Sequence, residues 1–350
     1  MERRRKMDDK NVRQKTLGLS FSGGGVQAWA EIAAYADLER QDITVDAVAG
    51  TSMGSFLAAA VASGLTSDEI YEIIVDTDEA IDESSLFGTQ AFFSLFSLRQ
   101  PLGFVLMEKL EEVIRPVNKL YHEVMLSDVP KPLAIPAVDI VSNKMIVFSN
   151  EPEYFQTVYE DAEFYEGDIP LVQACLASSA YPVILSPVEI DDYQFVDGGT
   201  LMNSPASLFS KEKIEHILAI RIPVLENSNP AGKRLEIALR AINVMVSSQE
   251  ASLTSIADQQ YFLDVNLPGM FKFGDSQPII RAGQVYVEDN PIDTSDMFVT
   301  VEPETEEEEN PEVEAKMQEP KEPVKIIIEE PETAGEKLDK VIARMKGFWR

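Results

Sequence analysis

The sequence has little cysteine and little histidine, and both shortages exclude kinds of site. Its 350 residues contain one cysteine, Cys175, and two histidines. A single cysteine allows no internal disulfide, which excludes a secreted disulfide scaffold and favours a reducing compartment. A structural zinc site takes four ligands, mostly cysteine and histidine, and the many acidic residues show no metal-loop spacing. We therefore expect no metal and no cofactor.

Positive charge and long apolar runs are also scarce. Thirty Lys and Arg residues stand against 60 Asp and Glu, a formal charge of -30. Such a chain is repelled by phosphate backbones, so we expect no binding to nucleic acid. The longest apolar run, residues 56–62, is far too short to span a bilayer, and the first ten residues lack the apolar core of a signal peptide. These absences predict a cytoplasmic protein.

The charge is unevenly distributed and divides the chain into four parts. Residues 1–15 carry a net charge of +4 without an apolar period, which predicts a flexible basic arm. Residues 302–332 hold thirteen acids and five prolines, the composition of an extended linker. Residues 333–350 combine apolar residues at helical spacing with a charge of +3. This pattern predicts an amphipathic helix that docks on its own subunit or a partner, or contacts the inner face of the membrane.

The fourth part, residues 16–301, carries the acidity, with 42 acids and 15 bases. Its short apolar runs alternate with helical stretches, which favours an α/β domain around a mostly parallel sheet. Aromatic residues within 86–105 show only a weak pattern, and we expect ordinary core packing from them rather than a cover over an apolar pocket. The predicted strands are residues 16–21, 45–49, 193–196 and 217–222, with a hairpin of 133–140 and 145–149. The predicted helices are residues 26–40, 52–63 and 67–78, and a long helix between 232 and 255.

The sequence Gly50-Thr51-Ser52-Met53-Gly54 matches the pattern G-x-S-x-G. It directly follows an apolar run and directly precedes a helix-forming run, as a nucleophile elbow requires. A sharp turn of this kind lifts the serine hydroxyl out of the backbone, and the two glycines leave room for neighbouring chains. The alternative is a glycine-bounded turn in which Ser52 only caps the helix.

Two further glycine motifs lie at predicted strand ends. Gly23, Gly24 and Gly25 expose consecutive amides at a helix start, where developing negative charge can be held as in an oxyanion hole. A phosphate cradle competes with this interpretation, although no Gly-Lys-Ser/Thr follows, and so does a tight turn without a ligand. Asp197-Gly198-Gly199 places a carboxylate at a strand end, although Asp-Gly by itself usually marks a turn.

Together, in this order and setting, the three motifs resemble the patatin-like phospholipase family over about residues 16–300. Residues 177–182 are also similar to the stretch upstream of the family's aspartate motif. The resemblance implies a three-layer α/β/α fold and hydrolysis of a lipid or phospholipid ester. It implies Ser52 as the nucleophile and Asp197 as its base. The oxyanion donors that it implies are the amides of Gly23, Gly24 and Gly25.

One departure from the family pattern leaves a second function open. Members usually continue the glycine loop with a basic residue and another glycine, where this chain has Gln27 and Ala28. Gln27 removes a positive charge near the oxyanion site, and Ala28 forbids backbone angles that only glycine adopts. The alternative is a weakly active or inactive scaffold that works through residues 333–350.

A histidine-dependent hydrolase is a further alternative, because Ser52, Asp197 and His216 follow the chain order of α/β-hydrolases. His216 directly precedes an apolar run, however, where a polar residue at a strand start needs no catalytic role. The serine motif also comes after only two predicted strands, which is early for that fold. We therefore favour the Ser-Asp pair.

Overall fold

The structure is a computed structural model that describes residues 12–87, 103–222 and 231–300. The predicted acidic linker of residues 302–332 and the predicted amphipathic helix of residues 333–350 lie outside these ranges. So do residues 1–11 of the predicted basic arm and most of the aromatic stretch.

The described residues form a mixed α/β fold in which helices flank a mostly parallel sheet, as predicted. The strands are β1 (Val12–Gln14), β2 (Leu17–Phe21), β3 (Ala47–Gly50), β4 (Leu133–Asp139), β5 (Lys144–Ser149), β6 (Glu163–Phe164), β7 (Val188–Ile190), β8 (Tyr193–Asp197), β9 (His216–Arg221), β10 (Gln259–Phe262) and β11 (Phe298–Thr300). The helices are α1 (Ile32–Arg40), α2 (Met53–Ala62), α3 (Ser67–Ser84), α4 (Met107–Ile114), α5 (Leu171–Ser179), α6 (Arg234–Leu253) and α7 (Ser276–Asp289).

The central sheet has the order β10-β9-β2-β3-β4-β5-β6, and its first five strands are parallel. Its inner strands are buried on both faces, as expected for a covered parallel sheet. In β9, Leu218 belongs to one apolar cluster, and its neighbour Ala219 belongs to a second. The predicted hairpin is confirmed, since β4 and β5 pair in antiparallel register.

Helix α3 is longer than its prediction, which ended at residue 78. It begins after Thr66, whose side chain forms a capping box with Glu69. It continues to Ser84 because the helical spacing of buried apolar residues, which includes Ile70, Ile73 and Ile74, continues to Ile81. This extra length matters because α3 lines the cavity described below.

Two other boundaries differ from the predictions. The first helix begins as a 3-10 helix, Gly25–Glu31, before α1, an arrangement common at helix starts. Residues 12–14, which the prediction placed in the basic arm, form β1 and pair antiparallel with β11. Arg13 in β1 also forms an ion pair with Glu215. Both contacts are non-local, so the local sequence pattern gave no sign of them.

The register on β4 determines where the predicted site residues meet. Strand β3 pairs in parallel with the first residues of β4, where Ala49 lies opposite Ala134. Strand β8 pairs antiparallel with the last residues of β4, where Asp197 lies opposite Ala137. Since β5 occupies the other edge of β4, β3 and β8 share one edge and their carboxyl ends converge.

Candidate active site

Ser52 lies in a strained turn between β3 and α2. Its backbone has φ 52° and ψ -130°, a conformation that residues other than glycine rarely adopt. Gly54 lies so close to the backbone at the end of β2 that a Cβ atom there would collide with the Ser22 carbonyl oxygen. The Ser52 side chain makes no capping hydrogen bond to α2, so the helix-cap alternative finds no support.

The hydroxyl of Ser52 instead contacts Asp197. Ser52 Oγ donates a hydrogen bond of 2.6 Å to Asp197 Oδ2, and the Gly199 amide donates one of 2.7 Å to Oδ1. Both side chains are buried, Ser52 with 8% and Asp197 with 3% of its surface exposed. Burial raises the pKa of Asp197 to about 6, although the hydrogen bonds from Ser52 and Gly199 act in the opposite direction.

Two neighbouring side chains hold the turn around Ser52. Ser178 Oγ accepts a hydrogen bond of 2.9 Å from the Ser52 amide and donates one of 2.7 Å to the Pro136 carbonyl. Thr51 Oγ1 donates to the Met202 carbonyl at 2.9 Å. Ser178 belongs to the stretch upstream of the aspartate motif, which the family resemblance had included without giving this residue a role.

The glycine loop lies beside the serine, and its three amides differ. The Gly23 amide donates to the Asn203 carbonyl at 2.9 Å and is therefore already engaged. Gly25 has φ 60°, and a Cβ atom there would collide with the Met270 carbonyl oxygen. Within the described ranges, the amides of Gly24 and Gly25 donate to no protein acceptor, and both residues line the cavity. Of the three predicted oxyanion donors, these two are available.

Asn203 is a site residue that the sequence motifs did not indicate. Its side-chain nitrogen lies 3.4 Å from the Gly23 carbonyl oxygen and donates a 3.1 Å hydrogen bond to Glu250 Oε1. Glu250 in turn forms a buried ion pair of 2.7 Å with Arg221. The local signal was only its place six residues after Asp197, because its partners come from distant parts of the chain.

A second buried carboxyl group lies next to the start of the loop. Glu31 accepts hydrogen bonds from the Ser22 amide, at 2.9 Å, and from the Ser22 hydroxyl. Complete burial raises the pKa of Glu31 well above its usual range, with the neighbouring Glu250 acting in the same direction. Together with Asn203, Glu31 fixes the residues from which the glycine loop begins.

The two residues that depart from the family pattern fit this structure. Gln27 is buried, and its side-chain nitrogen donates to the carbonyl of Pro268. Ala28 is fully buried in the 3-10 helix and does not have a positive φ, so no glycine is required there.

A cavity of about 450 Å³ extends from Ser52 and Asp197 between α2 and α3. The residues of α3 that line it span about 16 Å along the helix axis, comparable to an extended acyl chain of a dozen carbon atoms. Phe87, from the aromatic stretch, also lines the cavity and packs against Phe273 with ring centroids 4.5 Å apart. The apolar lining from α2 and α3 comprises Met53, Phe56, Leu57, Ala60, Ile70, Ile73, Ile74 and Ile81.

His216 lies far from this site. It pairs with Leu17 at the amino end of β9, and its ring nitrogen contacts Gln259 Oε1 at 3.4 Å. Ser52 follows the carboxyl end of β3, so the two residues lie at opposite ends of the parallel strands, about 13 Å apart along the strand direction. Burial lowers the pKa of His216. The histidine-dependent alternative therefore has no geometric support.

Metal clusters and membrane-spanning helices are absent from the residues that the structure covers. Among them, no group of His, Cys, Asp and Glu side chains is arranged to hold a metal ion. No helix in the same ranges has the length and apolar character needed to cross a membrane.

The chain is similar to a protein-family model and to several known proteins. A family model described as patatin-like phospholipase matches residues 19–210. The uncharacterised YqhO of Bacillus subtilis is 30% identical over 217 residues, which cover 60% of this chain and 72% of YqhO. A cGAMP-activated phospholipase of Escherichia coli is 29% identical over 54% of this chain, which spans only about half, 53%, of that protein's length. Among solved structures, VipD of Legionella pneumophila is 13% identical, with a TM-score of 0.43 over 79% of this chain and 66% of VipD. Because the family model matches more than half of the chain, the protein belongs to the patatin-like phospholipase family.

Proposed function

We propose that this protein is a lipid acyl hydrolase, a phospholipase A or esterase, that cleaves carboxylic esters through Ser52 and Asp197. The observation that carries the proposal is the 2.6 Å hydrogen bond between these side chains at one end of an apolar cavity. Membership of the patatin-like phospholipase family and the phospholipase-named relatives support the lipid substrate.

In the acylation step, Ser52 Oγ attacks the ester carbonyl carbon while Asp197 accepts the hydroxyl proton. A carboxylate with an ordinary pKa is a weak base, so the rise of the Asp197 pKa to about 6 improves proton transfer. The group still remains mostly ionised at neutral pH. The oxyanion that forms accepts hydrogen bonds from the amides of Gly24 and Gly25.

Collapse of this intermediate breaks the ester C–O bond. The departing alcohol oxygen takes the proton from Asp197, and the acyl group stays on Ser52 as an ester. In the second half of the reaction, Asp197 accepts a proton from water, which attacks the acyl-enzyme. Breaking of the bond to Ser52 returns the proton to its hydroxyl and releases the fatty acid.

We propose separate roles in substrate binding for the cavity and for residues 302–350. The apolar lining from α2 and α3 accepts the acyl chain, since burying a long chain in such a channel is strongly favourable. In our proposal the alcohol or phospholipid head group remains outside. Residues 302–332 and 333–350 serve as linker and docking helix of a cytoplasmic protein that contacts a partner or the inner face of the membrane.

Labelling with a fluorophosphonate probe, together with hydrolysis of short acyl esters and phospholipids, tests the proposal. Wild-type protein should label and hydrolyse, Ser52→Ala should do neither, and Asp197→Asn should hydrolyse far more slowly. The matched control is Ser20→Ala, because Ser20 Oγ is buried without a hydrogen-bond partner in the described structure. Wild-type rates in Ser52→Ala would refute the assignment. Failure of folded wild-type protein to label would favour the scaffold alternative.

A further inference from the structure

Helix α6 presents uncharged apolar side chains to solvent along one face. The exposed fractions of Ile237, Val244 and Met245 are 57%, 68% and 56%. Helical spacing places Ala241 and Ser248, which are also exposed, on the same face. An ordinary surface helix directs charged and polar residues outward and apolar ones inward. We call this set of five residues the outer face of α6.

The opposite side of α6 borders the cavity that leads to the proposed nucleophile. Leu239, Asn243 and Val246 line that cavity. Asn243 Oδ1 accepts a 2.9 Å hydrogen bond from Tyr181 Oη, and the buried ion pair of Glu250 fixes the last turns of the helix. These contacts hold α6 with one side on the cavity and its outer face toward solvent. A surface that binds the outer face is therefore separated from the cavity by the width of one helix, about 10 Å.

Charge identifies the kind of surface that fits. Residues 16–301 carry a net charge of -27, yet the outer face contains no charged residue. Within α6 the two basic residues, Arg234 and Arg240, are matched by two acidic ones, Glu236 and Glu250, so the helix has no net charge in an acidic domain. An anionic bilayer would repel the body of the protein, whereas a zwitterionic bilayer would not. The apolar outer face suits insertion at the level of the head groups.

We infer that the outer face of α6 docks on a zwitterionic lipid bilayer and holds the cavity about one helix width from the membrane. The inference rests on the proposed function only in its choice of lipid as the partner. The helix lies in the plane of the interface, with Ile237, Val244 and Met245 at the boundary of the acyl chains. Docking in this way shortens the distance over which the apolar chain of a membrane ester is exposed to water, which is costly.

Co-sedimentation with phosphatidylcholine vesicles tests the docking. The full-length Ser52→Ala protein is the parent, so that hydrolysis does not alter the vesicles. Val244→Asp should weaken vesicle binding at least about ten-fold, because a charge replaces a side chain that enters the membrane. Val141→Asp is the matched control, since Val141 is 64% exposed in the turn between β4 and β5, and it should bind like the parent. Equal binding of Val244→Asp and the parent would overturn the inference.

Two further measurements separate membrane docking from misfolding and from dimerisation. Ile237→Asp should repeat the loss of binding, and an unchanged thermal unfolding midpoint should show that both variants are folded. Sedimentation velocity without lipid tests whether a second copy of the chain binds the outer face instead of a bilayer. If the parent is a dimer and Val244→Asp converts it to a monomer, the lipid assignment is wrong. Because none of these measurements uses catalysis, loss of vesicle binding would stand even if the hydrolase proposal failed.

Discussion

The carbonyl oxygen of Asn203 accepts a 2.9 Å hydrogen bond from the amide of Gly23, while the Asn203 side chain reaches Glu250 in α6. Asn203 therefore connects the glycine loop to the buried ion pair of Glu250 and Arg221. It lies in the cavity lining, but its bonds are made to protein groups that hold the loop. We regard Asn203 as a positioning residue for the proposed oxyanion donors.

The first prediction is that Asn203→Ala lowers kcat about ten-fold or more and leaves KM nearly unchanged. The backbone bond to Gly23 remains, but the loop loses its side-chain support, and misplaced oxyanion donors act mainly on the transition state. Steady-state kinetics on a soluble ester measures the separate changes in kcat and KM. Asn290→Ala is the control, because the Asn290 side chain donates to the Tyr286 carbonyl at the end of α7, and neither residue belongs to the cavity lining. A rise of KM at constant kcat would show that Asn203 contributes to substrate binding instead.

The second prediction concerns the pH dependence of hydrolysis. Because burial raises the pKa of Asp197 to about 6, kcat/KM should rise with a midpoint near that pH and reach a plateau above it. Histidine also titrates in this range, so the same profile must be recorded for His216→Ala. If His216→Ala has the same midpoint and the same plateau rate as the wild-type protein, the result supports Asp197 as the base. Loss of activity in His216→Ala would contradict the Ser-Asp assignment.

The third prediction concerns stability. The pKa of Asp197 in the folded state, about 6, exceeds the ordinary aspartate value of about 3.9. The stability associated with this group is therefore present below about pH 4 and is lost as the pH rises through about 6. Asp197→Asn should raise the free energy of unfolding by up to about 3 kcal/mol at about pH 8 and change it little at about pH 4. Urea unfolding of both proteins at the two pH values measures this, and no gain at the higher pH would show that burial does not penalise the carboxylate.

The three motifs could be predicted from the sequence because each is local. Glycines and a polar residue directly follow an apolar run, and that pattern is visible without any knowledge of the neighbouring strands. The meeting of Ser52 and Asp197 could not be predicted in this way, because 145 positions separate them. It depends on the register of β8 on β4, where Asp197 lies opposite Ala137. No feature within either strand specifies that register.

The side chains that hold the glycine loop could not be predicted either, because their partners are also distant in the sequence. Asn203 and Gly23 are 180 positions apart. Glu250 lies in α6, for which the sequence predicted a long helix but gave no sign that Glu250 is buried. Glu31 looks like an ordinary polar residue in a helical stretch, although the fold buries it completely against Ser22. Burial and polar partners of this kind arise from tertiary packing, which local periodicity does not encode.

The last prediction concerns the length of the acyl chain. Ala60 lines the cavity and lies eight residues after Ser52, about 12 Å along α2. Ala60→Leu should fill the deep part of the cavity, so that kcat/KM for a long-chain ester falls about ten-fold more than for a short-chain ester. Ala59→Leu is the control, because Ala59 is equally buried but outside the cavity lining. Its overpacking should cost about 1–3 kcal/mol of stability without changing the preference between chain lengths. An equal effect of Ala60→Leu on both esters would mean that the acyl chain does not extend along α2, and the proposed orientation of the substrate would be wrong.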